Sequence, residues 1–241
     1  MGDEIMISIQ DIDNNSMYVN GVNIADYGAL VQSFKVGANA IKNTTYQGRN
    51  RTSFNVLATE LTTRPVTVTI CYKAPTRREL SLIKAKIDSL LIGKVELWLP
   101  DGFYYTVYMA SAGEESIVGV EYNEEIALCT YTFNGIRHDP LQTVTLLQGH
   151  TMYCKSLVPH TDCRLTCIAT SNWASMRIGP VTVTGIHTND VVVADGINGR
   201  ILINGAPCPG NMSFIHFPSL VPGENVIQCP ETLTVEYYPT Y

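Results

Sequence analysis

The residues that could carry chemistry are few and scattered. His160, Cys163 and Cys167, with Cys154 upstream, come nearest to a metal-binding set. Zinc wants four soft ligands, commonly supplied by two close Cys or His pairs. The second pair is missing here, because Cys208 and Cys229 stand far apart. Cys163 and Cys167 fall four apart on a predicted strand, so they share a face at about 13 Å, too far to share one ion. They read as buried thiols in a strand.

A Ser-His-Asp triad finds no support either. The histidines are His138, His150, His160, His187 and His216, and no Gly-x-Ser-x-Gly elbow accompanies them. His216 alternates with apolar neighbours in SFIHFP and reads as a strand residue on a sheet face. The pairs Glu114-Glu115 and Glu124-Glu125 sit at turns, where adjacent side chains diverge, so neither makes a glycosidase dyad. Gly196-x-x-Gly199 lacks the Lys-Ser/Thr of a phosphate loop. No catalytic, cofactor or metal residue is assigned, and no enzymatic activity is expected.

Binding chemistry has two candidates. Trp173 and Asn172, with Tyr153, His187 and Asp190 nearby in sequence, could form a saccharide platform on a β-sandwich. A single Trp in a sandwich is more often core than platform. The segment Lys35–Arg51 carries Lys35, Lys42, Arg49 and Arg51 with no acid, and could meet phosphate or an acidic partner. Its plain alternative is a solvated hairpin.

Composition narrows the classes further. In 241 residues, 45% are hydrophobic and 16% charged, with net charge −6. The charged share is low against a usual ~25%. The chain is therefore globular, with a surface suited to being covered by partners. The acidic balance argues against specific nucleic-acid binding. No apolar run reaches the ~20 residues of a membrane helix. The start, MGDEIMISIQ, has no secretory pattern, so the seven cysteines read as reduced.

The elements that must position these residues are almost all strands. Asn20-Gly21 between Met17–Val19 and Val22–Ile24 marks a type I′ hairpin. Lys35–Arg51 reads as a long loop or extended hairpin, and Pro65–Lys73 as a strand with one buried face. One helix is predicted over about 77–92. Thr76 caps it, Glu79 completes a capping box, Leu80, Ile83, Ile87 and Leu90 form its apolar stripe, and Gly93 ends it. A hairpin follows over LWLPDGFYYTVYM, then strands near 116–123 and 126–134.

Charge thins after Gln142, where Lys155, Arg164, Arg177 and Arg200 are the only basic residues. Short strand-like runs separated by turn residues occupy this part, including 164–170, 175–178, 181–186, 191–194, 200–203, 213–217, 225–229 and 232–238. They indicate a β-sandwich or jelly roll. The expected domains are 1–142 and 143–241.

Taken in order, these pieces resemble the distal tail proteins of long-tailed, siphovirus-type bacteriophages. The resemblance rests on the early Asn-Gly hairpin, the capped helix starting Arg-Arg-Glu-Leu, and the LWLPDGFYYTVYM hairpin. It rests also on the Phe133 to Asp139-Pro140 exit, and on the ending FPSLVPGENVI followed by LTVEYYP. It implies a mainly β protein. The first domain would be a tail-tube-like β-sandwich or split barrel with one helix, forming a hexameric ring. The second would be a galectin-like or jelly-roll sandwich projecting outward.

The implied role is structural, as a hub at the distal end of the tail. The ring would join the tail tube protein to the tail-associated tip protein and sometimes to receptor-binding proteins, with the genome passing through. The location would be the virion tail tip, after assembly in the host cytoplasm. The ring contact would involve Lys42, Tyr46, Arg49 and Arg51 of the basic segment, with Val68 and Ile70 of the following strand. The alternative is a carbohydrate-binding sandwich contributing to host attachment, with Trp173 and Asn172 as its contacts.

Overall fold

A computed structural model describes residues 16–47, 49, 52–53, 55–121, 124–147 and 151–241. Among the described residues the fold is mainly β with one α-helix, and the chain divides into two compact units, Met1–Arg137 and His138–Tyr241.

The first unit contains β1 (Tyr18–Val19), β2 (Val22–Asn23), β3 (Ala29–Val36), β4 (Ile41–Tyr46), β5 (Asn55–Leu61) and β6 (Arg64–Ala74). Helix α1 (Arg77–Leu90) follows, then β7 (Lys94–Trp98), β8 (Tyr104–Ala112), β9 (Ser116–Glu121) and β10 (Glu124–His138). One antiparallel sheet runs in the order β2-β1-β7-β8-β10-β6-β3, with β9 added on β10, while β4 and β5 pair only with each other. At the first turn Asn20 and Gly21 have φ of 50° and 81°, the left-handed pair that the predicted I′ turn requires.

Strand β6 shows why the sheet has one wet face. Its residues alternate without a break, Val66, Val68, Ile70, Tyr72 and Ala74 lying in the core while Thr67, Thr69, Cys71 and Lys73 stand on the other side. Strand β10 extends well past the predicted 126–134 and matches it residue for residue, from Glu125 opposite Ala74 to Gly135 opposite Arg64. Each large apolar side chain withdrawn from water contributes about 1.5–3 kcal/mol.

Helix α1 closes this core as its pattern predicts. The Thr76 hydroxyl accepts from the Glu79 N–H at 3.3 Å and donates to the Glu79 carboxylate at 3.0 Å. Leu80 and Ile87 are buried, with Ile83 and Leu90 packed beside them. Asp88 ties the helix to the sheet by accepting from the Tyr131 hydroxyl at 2.6 Å, and Tyr131 in turn meets the Tyr72 hydroxyl at 2.7 Å. Burial and these bonds push the Tyr131 phenol far above its ordinary pKa.

The second unit contains β11 (Gln142–Leu146), β12 (Thr151–Cys154), β13 (Thr161–Ile168), β14 (Trp173–Ile178), β15 (Val181–Ile186) and β16 (Val191–Asp195). Then come β17 (Arg200–Ile203), β18 (Ala206–Pro207), β19 (Met212–Phe214), β20 (Ser219–Leu220), β21 (Gly223–Val226) and β22 (Leu233–Tyr237). The larger sheet runs β11-β22-β13-β16-β17-β18, with β20 also on β13; β14-β15-β19 and the ribbon β12-β21 form separate sheets. Leu165, Val192 and Val235 from the first meet Met176, Ile178 and Val183 from the second in one core, which makes this unit a sandwich.

The end of the chain is built into this unit. Strand β22 lies between β11 and β13, hydrogen bonded on both sides. His138 bridges to Thr240, and the Asp139 N–H donates to the Pro239 carbonyl at 2.9 Å. The segment from Asp139 to Gln142 is therefore held by the same unit as the C-terminal residues. In the Pro-Gly-x-Asn turn, Asn225 accepts from the Val221 N–H and donates to the carbonyls of Val221 and Gly223, at 2.8–2.9 Å.

Candidate functional site

The sequence candidates for chemistry are dispersed. Cys154, Cys163 and Cys167 point into the core, all seven cysteines are free, and His160 is exposed. Burial, then Asp162 and Cys154, push the Cys163 thiol up to about 12, so it is a poor nucleophile or ligand. A hydrogen bond to Cys229, and burial, also raise Cys167. No group of three or more His, Cys, Asp or Glu that could hold a metal ion occurs among the described residues.

His138 is buried edge-on against Tyr238, ring centroids 4.9 Å apart. His150 lies outside the described residues. His216 is not on a strand, as its alternating neighbours suggested. Strand β19 ends at Phe214, and His216 sits exposed in the bend before Pro218, where the Phe214 and Phe217 rings pack together at 4.9 Å. Glu124 forms an ion pair with Lys73 at 2.9 Å.

The saccharide candidates are committed to the fold. The Trp173 indole N–H donates to Glu231 at 2.8 Å, and its ring packs on the second core. Glu231 is 5% exposed and also accepts from the Thr170 N–H at 2.9 Å and hydroxyl at 2.8 Å. Burial would raise its pKa, but these bonds outweigh it and hold the carboxyl below the usual range. The Asn172 carbonyl accepts from the N–H and hydroxyl of Thr188. Asp190 accepts from His187 N–H and Asn204, bonds that close a turn. Tyr153 and the His187 side chain stand well out from the surface, 69% and 79% exposed. The sequence reading missed Glu231; its signal was a lone acid in an apolar stretch, PETLTV.

The basic segment takes the form of an extended hairpin. Its root is tied by the Gly37 N–H to the Pro65 carbonyl, the Thr62 N–H to the Ala40 carbonyl, and Arg64 Nε to the Asn39 side-chain Oδ1, each 2.8 Å. Beyond that root no third strand joins β4 and β5 among the described residues. All six residues of β4 are exposed, Lys42 and Tyr46 among them, as are Asn55, Val56 and Leu57 of β5. Ile41 is 63% and Leu57 66% exposed. Arg49 is exposed at the tip, and Arg51 lies outside the described residues. Val68 and Ile70 do not join this surface: both are fully buried on the core face of β6, so their side chains cannot meet a second chain. Strand alternation, with β6 packed over the core, is the reason.

At the other end of the same sheet lies a row of aromatics. Tyr18 stands opposite Trp98, and Trp98 opposite Tyr104, across β1, β7 and β8. The Tyr18 and Trp98 rings meet edge to face at 5.4 Å. With Gly21 and Glu96 they line a cleft of about 410 Å³.

Two compact β units in this order, the first with one helix and a free-standing hairpin, can be compared with solved folds. The fold is similar to that of SPP1 Dit. The likeness covers 94% of this chain and 98% of that one, with a TM-score of 0.67 at 12% identity. That protein is described as a paradigm of the hub adsorption apparatus in phages infecting Gram-positive bacteria. A chain of the phage p2 baseplate in its activated conformation is similar as well, with a TM-score of 0.53 at 7% identity in the structure with Sr, covering 93% of this chain and 97% of that one. The structure with Ca has a TM-score of 0.52 at 7% identity, covering 91% and 93%. The resemblance to distal tail proteins drawn from the sequence thus holds in the fold. Comparison with protein-family profiles finds no match, and comparison with curated proteins finds none.

Proposed function

We propose that this chain is a structural protein of a phage tail, a hub at the distal end. The observation that carries this reading is the likeness to SPP1 Dit through both units, with nearly all of each chain covered. The first unit, ending near Arg137, would close a ring of six copies. The second would project outward and offer its sandwich to tip or receptor-binding proteins. The tail tube protein and the tail-associated tip protein would bind the two ring faces. Assembly in the host cytoplasm would place the protein in the virion tail tip.

The naked hairpin supports self-assembly. A two-stranded ribbon is marginal in water, and one exposed on both faces gains little from its own side chains. Covering it with another chain recovers the burial of Ile41, Tyr46, Val56 and Leu57. Lys42, Tyr46 and Arg49 remain the contacts expected there. A heterologous interface, one face of a subunit against a different face of the next, closes into a ring.

The test is the mass in solution by light scattering. Six chains of 26.6 kDa make a discrete species of about 160 kDa. Replacing 41–61 by a short Gly-Ser linker should reduce it to monomer while the far-UV spectrum stays β. A monomer that persists to millimolar concentration, and in the presence of tail tube protein, overturns the ring.

A further inference from the structure

We infer that the aromatic cleft of Tyr18, Trp98 and Tyr104 seats the hairpin tip of a second copy, with Arg49 over its rings and toward Glu96. The inference rests on the ring reading above and adds the surface that receives the hairpin. Cleft and hairpin lie at opposite ends of one sheet: β1 and β7 stand near its β2 edge, while β4 leaves from and β5 returns to the β3-β6 edge. That separation is what a head-to-tail contact needs, because two unlike faces must meet without blocking their own repetition.

The chemistry is complementary. Among the described residues, Glu96 is the only charged one lining the cleft. Arg49 stands exposed at the hairpin tip, and the sequence around it, QGRNRT, holds no acid. A guanidinium is attracted to the faces of Trp and Tyr and pairs with a carboxylate in the same site, where a lysine fits less well. Strand pairing aligns the three aromatics, so the cleft is formed before anything binds. The six residues of β4 carry the tip about 20 Å from its root, far enough to cross onto a neighbour.

The experiment is a charge exchange read by sedimentation and light scattering on the full-length chain. Glu96 is half-exposed and Arg49 exposed, so changes there leave the cores intact. Arg49→Glu and Glu96→Arg are each expected to weaken assembly about tenfold or more, and the double variant to return to within about threefold of the parent. Trp98→Leu should weaken assembly too, with urea unfolding as the control for its fold. If the parent stays monomeric to millimolar concentration and with tail tube protein present, the ring reading itself fails. If the parent assembles and neither single change shifts it, or the double variant does not recover, the cleft is not the seat while the ring stands. Saturable binding of tetramethylammonium to the cleft with no effect on assembly would assign it instead to a free organic cation.

Discussion

Removing the Glu231 carboxylate tests whether Trp173 is a latch of the second core or a surface for ligands. Glu231 accepts three hydrogen bonds, two from Thr170 and one from the Trp173 indole. Bonds to a charged acceptor contribute about 1.5–3 kcal/mol each, but Thr170 is exposed and recovers water when its acceptor is lost. Glu231→Ala should therefore cost about 2–4 kcal/mol, with the indole N–H left without an acceptor as the main loss. For a unit of about 100 residues that is a fall in Tm of about 10–25 °C.

The two tryptophans, Trp98 and Trp173, fall one in each unit, so fluorescence of a Trp98→Phe background follows the second unit alone. The pH profile adds a second readout. Burial opposes ionisation of Glu231, yet the bonds from Trp173 and Thr170 hold its pKa below the ordinary value. A carboxyl depressed on folding adds stability above its unfolded pKa, and that stability is lost as pH falls through the folded one. The parent should lose stability in acid more steeply than Glu231→Gln. A loss below about 0.5 kcal/mol in Glu231→Ala, with an unchanged acid profile, would refute the latch. It would return Trp173 to the residues available for a saccharide.

Two further changes test the framework. Tyr131→Phe removes the hydroxyl that joins Asp88 of α1 to buried Tyr72, and should cost about 1–3 kcal/mol in urea unfolding followed by Trp98. Asn225→Ala removes three bonds inside the Pro-Gly-x-Asn turn and should cost about 1–2 kcal/mol. Its signature is faster hydrogen exchange at the Val221 amide, and an unchanged rate there would show that the turn holds without the side chain.

Local chemistry was legible in the sequence because local rules decide it. Thr76 with Glu79, the Leu80 to Leu90 stripe, Asn20-Gly21 and the alternation of Pro65–Lys73 each depend on neighbours within a few residues. The mainly β class and the likeness to distal tail proteins followed from the order of such pieces. Pairing over long sequence distances decided the rest. Val68 and Ile70 fall on the apolar side of the β6 alternation, and packing of β6 against α1 and the rest of the first core buries them fully, so expecting ring contacts from them went against the strand's own pattern. Glu231 acquires its role only when Thr170 and Trp173, about 60 residues away, come within hydrogen-bond reach. The aromatic row exists only because β1 pairs with β7 and β7 with β8. Strand partners are chosen by burial of whole faces, a property of the assembled sheet that no short stretch of the chain carries.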